Sequence, residues 1–307
     1  LRPKTVNNGL QIKGVGEARL KKARESLGVA MISASVDYAR VLAVKNEVLS
    51  EAFAFFEKAG DFAEFEKFKK QHSTWLPDYC RYRWLIDEAG EIQDWSEWPD
   101  DFNTATKAKK YELKRKRKAR AEVKLAQDYY AWEQWHAFSQ WEEVRAYADK
   151  VGVKLMGDVP IGVSYSSADV FFEPQWFNLD WFGGAPPETE FEADAFTQKW
   201  GQNWGVPVYR WDAVEKSGYQ WWKQRVGALT SIFHQFRIDH ILGFYRIYGF
   251  PWHPKLNHKF LPLSRQQASE LTGGDLPGFV PREDDTTVNK ALNLLDGDKY
   301  IRAVIEA

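Results

Sequence analysis

Arg237 and Asp239 stand two residues apart in the run Phe236-Arg237-Ile238-Asp239-His240. The run alternates apolar Phe236 and Ile238 with polar Arg237 and Asp239, and on a strand every second side chain shares a face. A guanidinium beside a carboxylate favours its ionised form. An ionised carboxylate at the C-terminal end of a strand can attack an anomeric carbon and hold the sugar as a covalent ester. The same spacing also suits a structural Arg–Asp pair that closes a strand, and spacing alone does not choose between the two.

A second carboxylate sits in Met156-Gly157-Asp158-Val159-Pro160-Ile161-Gly162-Val163, followed by Ser167-Ala168-Asp169-Val170. A strand ending in Gly-Asp-x-Pro puts Asp158 at a sheet edge, where proline turns the chain outward. There Asp158 can orient a substrate or cap a turn. A third segment joins Gly183-Gly184-Ala185-Pro186-Pro187 to Lys199-Trp200-Gly201-Gln202-Asn203-Trp204-Gly205-Val206-Pro207-Val208-Tyr209-Arg210-Trp211. Glycine and proline suggest a long exposed loop, and its rings and amides offer a surface for a ligand or pin the loop to the body.

These residues need elements to hold them. Residues 36–70 read as helical, with a break at Gly60-Asp61. Residues 75–102 read as irregular, with a short helix around Leu76–Leu85. Ala131, Trp135, Phe138, Trp141, Val144 and Ala148 recur at helical intervals, so 127–148 is expected to be an amphipathic helix. Val153–Val159 then reads as a buried strand. Tyr219, Trp222, Val226, Leu229 and Phe233 mark another helix leading into the Arg237–Asp239 strand. Helix followed by strand, twice over, points to a parallel α/β architecture.

The 307 residues carry 42 basic and 43 acidic side chains, a net charge of −1, which argues against a field that gathers nucleic acid or anionic membrane. Lys107–Arg120 is the exception, locally +8 against −9 for the remainder, and reads as a solvated helix face or surface loop. One cysteine, Cys80, excludes an internal disulfide and fits a reducing compartment, so a cytoplasmic location is expected. There is no apolar run long enough to span a membrane, and Leu1-Arg2-Pro3-Lys4 lacks a secretory h-region. All 15 tryptophans lie between Trp75 and Trp252. Such rings stack on sugar faces and also fill cores.

Together the three segments resemble glycoside hydrolase family 77, the amylomaltases or 4-α-glucanotransferases. Gly157-Asp158-x-Pro160-Ile161 with Ser167-x-Asp169-Val170, Gly201-Gln202-x-Trp204-Gly205-x-Pro207-x-Tyr209, and Arg237-Ile238-Asp239-His240 with Gly243-Phe244 are similar to that family's barrel motifs. Val36-Asp37-Tyr38, Lys45, Leu49, Trp75-Leu76, Tyr79 and Gln140-Trp141 resemble its helical insertion. The resemblance implies an α/β fold: part of a (β/α)8 TIM-type barrel, with 1–150 a mainly helical insertion subdomain and 151–307 the barrel portion bearing the nucleophile strand and substrate loops. It implies transfer of α-1,4-glucan segments by a retaining double displacement. Asp239 would be the nucleophile and Arg237 its ion-pair partner. Asp158, Gln202, Trp204 and His240 would contact the glucan or its network. Maltooligosaccharides and α-glucans are the expected partners, with no nucleic acid, membrane, cofactor or metal.

The family's Glu-Asp-Leu-Gly motif for the general acid/base and its later His-Asp motif are absent from the 307 residues; Glu270, Glu283 and Glu306 lack that context. The chain is therefore expected to be a fragment of a longer protein and inactive alone. An amylase-like hydrolase and a non-catalytic glucan binder remain as alternatives.

Overall fold

A computed structural model describes residues 15–31, 35–189 and 194–306. Leu1–Lys4, read above for a leader, lies outside them. The chain divides into two compact units, one of Leu1–Cys80 with Ala121–Ala137, the other of Arg81–Arg120 with Phe138–Ala307. The fold is mixed α/β, and before Met156 the described residues form helices and connections without a strand.

The first helices are α1 (Glu17–Met31), α2 (Tyr38–Ala59) and α3 (Ala63–Gln71). Asp37 starts α2 by accepting the Arg40 N–H, and Gly60 ends it at φ 70°, a left-handed conformation that costs glycine least. The break expected at Gly60-Asp61 is therefore real. Then come α4 (Leu76–Glu88), α5 (Ala105–Lys114) and α6 (Arg117–Lys150). Phe53 and Phe65 are buried with Trp132 of α6, and Phe56 meets Phe65 edge to face at 5.5 Å. Edge-to-face pairs suit the ring quadrupoles.

α6 starts ten residues earlier than its apolar periodicity suggests, because basic residues are good helix formers without an apolar stripe. The Lys107–Arg120 run thus sits on α5, a two-residue turn and the first turn of α6, with most of its cations exposed. Lys107 pairs with Asp100 at 2.6 Å and Arg115 with Glu88. The expected apolar stripe of α6 is only partly buried: Ala131 and Ala148 are covered, whereas Trp141 and Val144 are exposed.

Six strands follow among the described residues: β1 (Met156–Pro160), β2 (Phe177–Ala185), β3 (Gln202–Tyr209), β4 (Gln235–Asp239), β5 (Ile247–Phe250) and β6 (Gly278–Val280). β1 and β4 pair in parallel, as helix-then-strand alternation suggests. The other four form an antiparallel sheet in the order β3-β2-β5-β6, which the sequence did not announce. Gly183-Gly184 and Pro207, read as loop markers, lie inside paired strands. Glycine lets the neighbouring strands approach closely, and a register shift at 183–184 absorbs the irregularity. β1 also differs from the buried strand expected over 153–159. It starts at Met156 and alternates, Gly157 and Val159 inward, Met156, Asp158 and Pro160 outward.

The two longest helices after β1 among the described residues are α7 (Gln220–Thr230) and α8 (Thr287–Ile305). α7 stops before Phe233, which the apolar spacing had included. Val159 of β1, Trp222 and Val226 of α7, Phe244 and Val304 of α8 share one core cluster. Trp211 stacks on Tyr300 at 4.3 Å. A second cluster holds Trp200, Tyr248, Phe250, Trp252 and Phe260 beside the antiparallel sheet. Seven tryptophans are buried, against two, Trp141 and Trp204, that are clearly exposed. Aromatic richness is therefore mainly packing.

At Gly157 the inward side of β1 is taken by the Phe233 ring, into which any Cβ would collide. Gly157→Ala should destabilise the protein by about 1–3 kcal/mol in urea unfolding, the usual cost of overpacking. In a Phe233→Ala background the same change should cost markedly less; an equal cost would exonerate the ring.

Candidate active site

The outward face of the parallel pair carries the charges. Register sets Asp158 opposite Arg237 and Pro160 opposite Asp239. Side chains two apart on β4 and one on β1 therefore meet above the same surface. Arg237 grips Asp158 with both arms of its fork, Nε to Oδ1 and Nη2 to Oδ2, each at 2.7 Å. Its Nη2 also lies 3.3 Å from Asp239 Oδ1. The expected Arg237–Asp239 pair exists, but the bidentate partner is Asp158, because strand pairing presents that carboxylate squarely to the guanidinium plane. The Arg237 hydrogen bond holds the Asp158 carboxyl below its usual range, and Asp158 in turn raises Arg237. All three groups are half-exposed, with side-chain exposures of 60% for Arg237, 53% for Asp158 and 54% for Asp239.

His240 follows the strand at φ 53°, ψ 50°, a left-handed conformation that costs a residue with a Cβ about 1–2 kcal/mol. The turn lays its ring edge-on against Trp204, centroids 4.9 Å apart and planes at 88°. Burial lowers the His240 pKa from its ordinary value, and the nearby Asp239 charge opposes that shift. Trp204 donates its indole N–H to Gln202 Oε1 at 3.0 Å while remaining 40% exposed. Gln202 and Trp204 lie on β3, an ordered strand rather than the loop their glycines and prolines suggested. The six sequence-selected residues thus form two neighbouring groups. Asp158, Arg237 and Asp239 make a charged face; Gln202, Trp204 and His240 make a polar–aromatic edge, joined to it through the Asp239-His240 peptide.

Sequence reading missed the supports beneath. Arg225 of α7 donates to the Pro160 carbonyl at 2.9 Å and lies over the rings of Trp221 and Trp222. Tyr209 O–H donates to the Ile161 carbonyl at 2.6 Å. Together they fix the chain just after Asp158. The signal was an arginine between Trp222 and Val226 on an otherwise apolar helix face. A cavity of about 210 Å³ lies below, lined by Ile161, Val206, Tyr209, Trp211, Phe244 and Val280 among others. None of the six residues lines it.

Two of the other three carboxyls singled out have local hydrogen-bond partners. Glu283 Oε1 accepts the Phe279 N–H at 2.7 Å, Glu270 accepts from Gln266, and Glu306 sits at the C-cap of α8. Among the described residues no group of three or more His, Cys, Asp or Glu side chains is placed to hold a metal ion, and no helix is long and apolar enough to cross a membrane.

Comparison with known proteins gives a consistent result. The family model described as 4-alpha-glucanotransferase matches residues 5–305. The 4-alpha-glucanotransferase of Aquifex aeolicus is 35% identical over 235 residues, covering 75% of this chain and 44% of the relative. That of Thermus thermophilus is 34% identical over 219 residues, 70% of this chain and 42% of the relative. The chain thus spans less than half the length of these relatives. Among solved structures, the amylomaltase from Streptococcus agalactiae in complex with acarbose superposes with a TM-score of 0.60 at 26% identity, over 72% of this chain and 43% of that one.

Because Asp158 is held low by Arg237, the stability this pair supplies is present above the unfolded carboxylate's pKa, about 3.9, and is lost as pH falls through the depressed folded value. Arg237→Gln should raise the Asp158 titration midpoint back towards the ordinary value, read by carboxyl-carbon NMR. An unmoved midpoint would discard the fork as its cause.

Proposed function

The chain belongs to glycoside hydrolase family 77, the 4-alpha-glucanotransferases, and on that footing we propose that the whole protein transfers α-1,4-glucan segments between maltooligosaccharides or α-glucans and sugar acceptors. The observation that carries the reading is the Arg237 guanidinium bridging Asp158 and Asp239 beside the exposed ring of Trp204. Asp239 is the nucleophile. Its carboxylate oxygen attacks the anomeric carbon, the bond to the leaving sugar oxygen breaks, and that oxygen takes a proton from a general acid. The resulting glycosyl ester is released to a hydroxyl of the acceptor, with net retention. Arg237 keeps the attacking group oriented, Asp158 anchors Arg237 and contacts the reacting glucose, and His240 donates to sugar hydroxyls. Gln202 and Trp204 bind the chain, the indole face stacking on a glucose ring.

Because Glu270, Glu283 and Glu306 all lack the family's Glu-Asp-Leu-Gly context, the proton donor is assigned to a carboxyl group outside residues 1–307, and this chain alone is inactive. Residues 1–150 are then the mainly helical insertion subdomain, and 151–307 the part of a (β/α)8 barrel that bears the nucleophile strand. The helices before Met156 and the parallel β1–β4 pair accord with that division by element type, although residues 81–120 and 138–150 pack in one compact unit with 151–307. A cytoplasmic location accords with one cysteine in 307 residues.

In the full-length protein, Asp239→Asn should retain maltooligosaccharide binding while turnover falls by several orders of magnitude, measured as glucose release from maltotriose. Near-normal transfer would remove Asp239 from the role. Trp204→Ala should weaken glucan affinity, by roughly 1 kcal/mol for the lost stacking, with little change in the melting transition. A lowered transition with unaltered affinity in the folded protein would instead make Trp204 a packing residue.

A further inference from the structure

The charges of the β1–β4 pair stand at the middle and C-terminal end of the two strands; a second polar cluster, absorbed by none of the roles above, stands at their N-terminal end. His234 immediately precedes β4, and its side chain is only 7% exposed. Its Nδ1 accepts the N–H of Leu155, the residue immediately before β1, at 3.0 Å. The Leu155 carbonyl accepts in return from the N–H groups of His234 and Gln235 at 3.0 and 3.2 Å. One peptide on each strand is therefore locked to the other, and the register begins there, with Met156 opposite Gln235 and Asp158 opposite Arg237.

The Leu155 bond fixes the tautomer. Nδ1 must carry a lone pair, so the ring proton is on Nε2, which faces Asp149 Oδ1 at 2.7 Å. That bond is also the main reason the Asp149 carboxyl lies below its usual range. Asp149 occupies the last turn of α6, where a carboxylate meets the negative end of the helix dipole. A carboxylate tolerated at that end needs partners, and His234 is the nearest.

One turn earlier, Arg145 donates to the carbonyls of Thr230 and Phe233 at 2.6 and 2.8 Å. These carbonyls belong to the C-terminal end of α7 and the turn after it, groups that a helix leaves without intrahelical donors. Phe233 itself lies on Trp141 of α6, with centroids 5.6 Å apart, and covers Gly157. The C-terminal turns of α6 thus hold the connection into β4 through side chains, and His234 passes that hold on to Leu155 at the start of β1.

We propose that His234 is a positioning residue: together with Asp149 and Arg145 it sets the register of β1 against β4 and thereby delivers Asp158 to Arg237 and holds Asp239 in its reacting place. A one-residue slip would turn alternate side chains to the opposite face, carrying the guanidinium away from Asp158. The catalytic meaning of this clamp rests on Asp239 being the nucleophile, as proposed above; its structural meaning does not.

The test uses the full-length protein and two readouts, amide hydrogen exchange and maltotriose disproportionation. His234→Leu keeps bulk but loses both hydrogen bonds, whereas His234→Gln can still accept from Leu155 or donate to Asp149. In His234→Leu the amides of 236–239 should exchange at least tenfold faster while those of β2 and β5 stay within threefold, and kcat should fall at least tenfold with KM within threefold. His234→Gln should recover a substantial part of both losses. Unchanged exchange at 236–239, acceleration spread evenly over both sheets, a KM effect with intact kcat, or no rescue by glutamine would each overturn the proposal. If His234→Leu does not accumulate folded, Asp149→Asn at the exposed end of the relay decides, with a threefold local acceleration expected and none overturning the clamp. A wild-type protein that transfers no glucan would sink the functional reading instead, and the exchange measurement would still judge the clamp.

Discussion

The arrangement of this molecule turns on the pairing of two short parallel strands in one register. Only with Asp158 opposite Arg237 do two carboxylates and one guanidinium share a face. The fork between the two carboxylates gives its two parallel N–H groups to Asp158 and a remaining direction to Asp239. Orientation then follows: Arg237 cannot swing without breaking two aligned bonds, so the second carboxylate sits next to a fixed positive charge. Arg225, Tyr209 and the Phe233 ring serve the same constraint from below, by fixing the backbone on which Asp158 stands.

Much of this was legible wherever information is local. The alternation of Phe236, Arg237, Ile238 and Asp239 is a period-two pattern, and β4 has it. The helix break at Gly60 was visible because one residue type suits a left-handed turn. What failed to show was long-range. Asp158 and Arg237 are 79 residues apart, and no feature of either segment specifies the other as partner. The β2–β3 pairing was hidden because Gly183, Gly184 and Pro207 have low strand propensity, which tertiary pairing overrides. The stripe on α6 was legible as a helix face, but Trp141 and Val144 on it stay exposed, since periodicity reports a face and not how far it is covered.

The aromatic residues divide the same way. Composition gave a surplus of rings without saying which would pack and which would be presented. Trp222, Trp200 and Phe250 are wholly enclosed and act as volume. Trp204 differs because it sits on β3 with its N–H tied to Gln202 and its edge set against His240, so its orientation is fixed although its surface is free. An exposed ring held in one orientation loses little freedom when something lies on it, which distinguishes it from a ring that is merely unburied.

The half-exposure of the three charges gives the site a graded temper. Open to water, their attraction is damped by solvent dielectric and by mobile ions within a Debye length. Whatever settles over them expels both screens at once, and the same atoms, unmoved, then exert a much stronger field on what has arrived. Such a surface is mild towards bulk solutes and forceful only towards an occupant large enough to roof it. Size selection therefore enters through electrostatics, before any contact with a particular hydroxyl group.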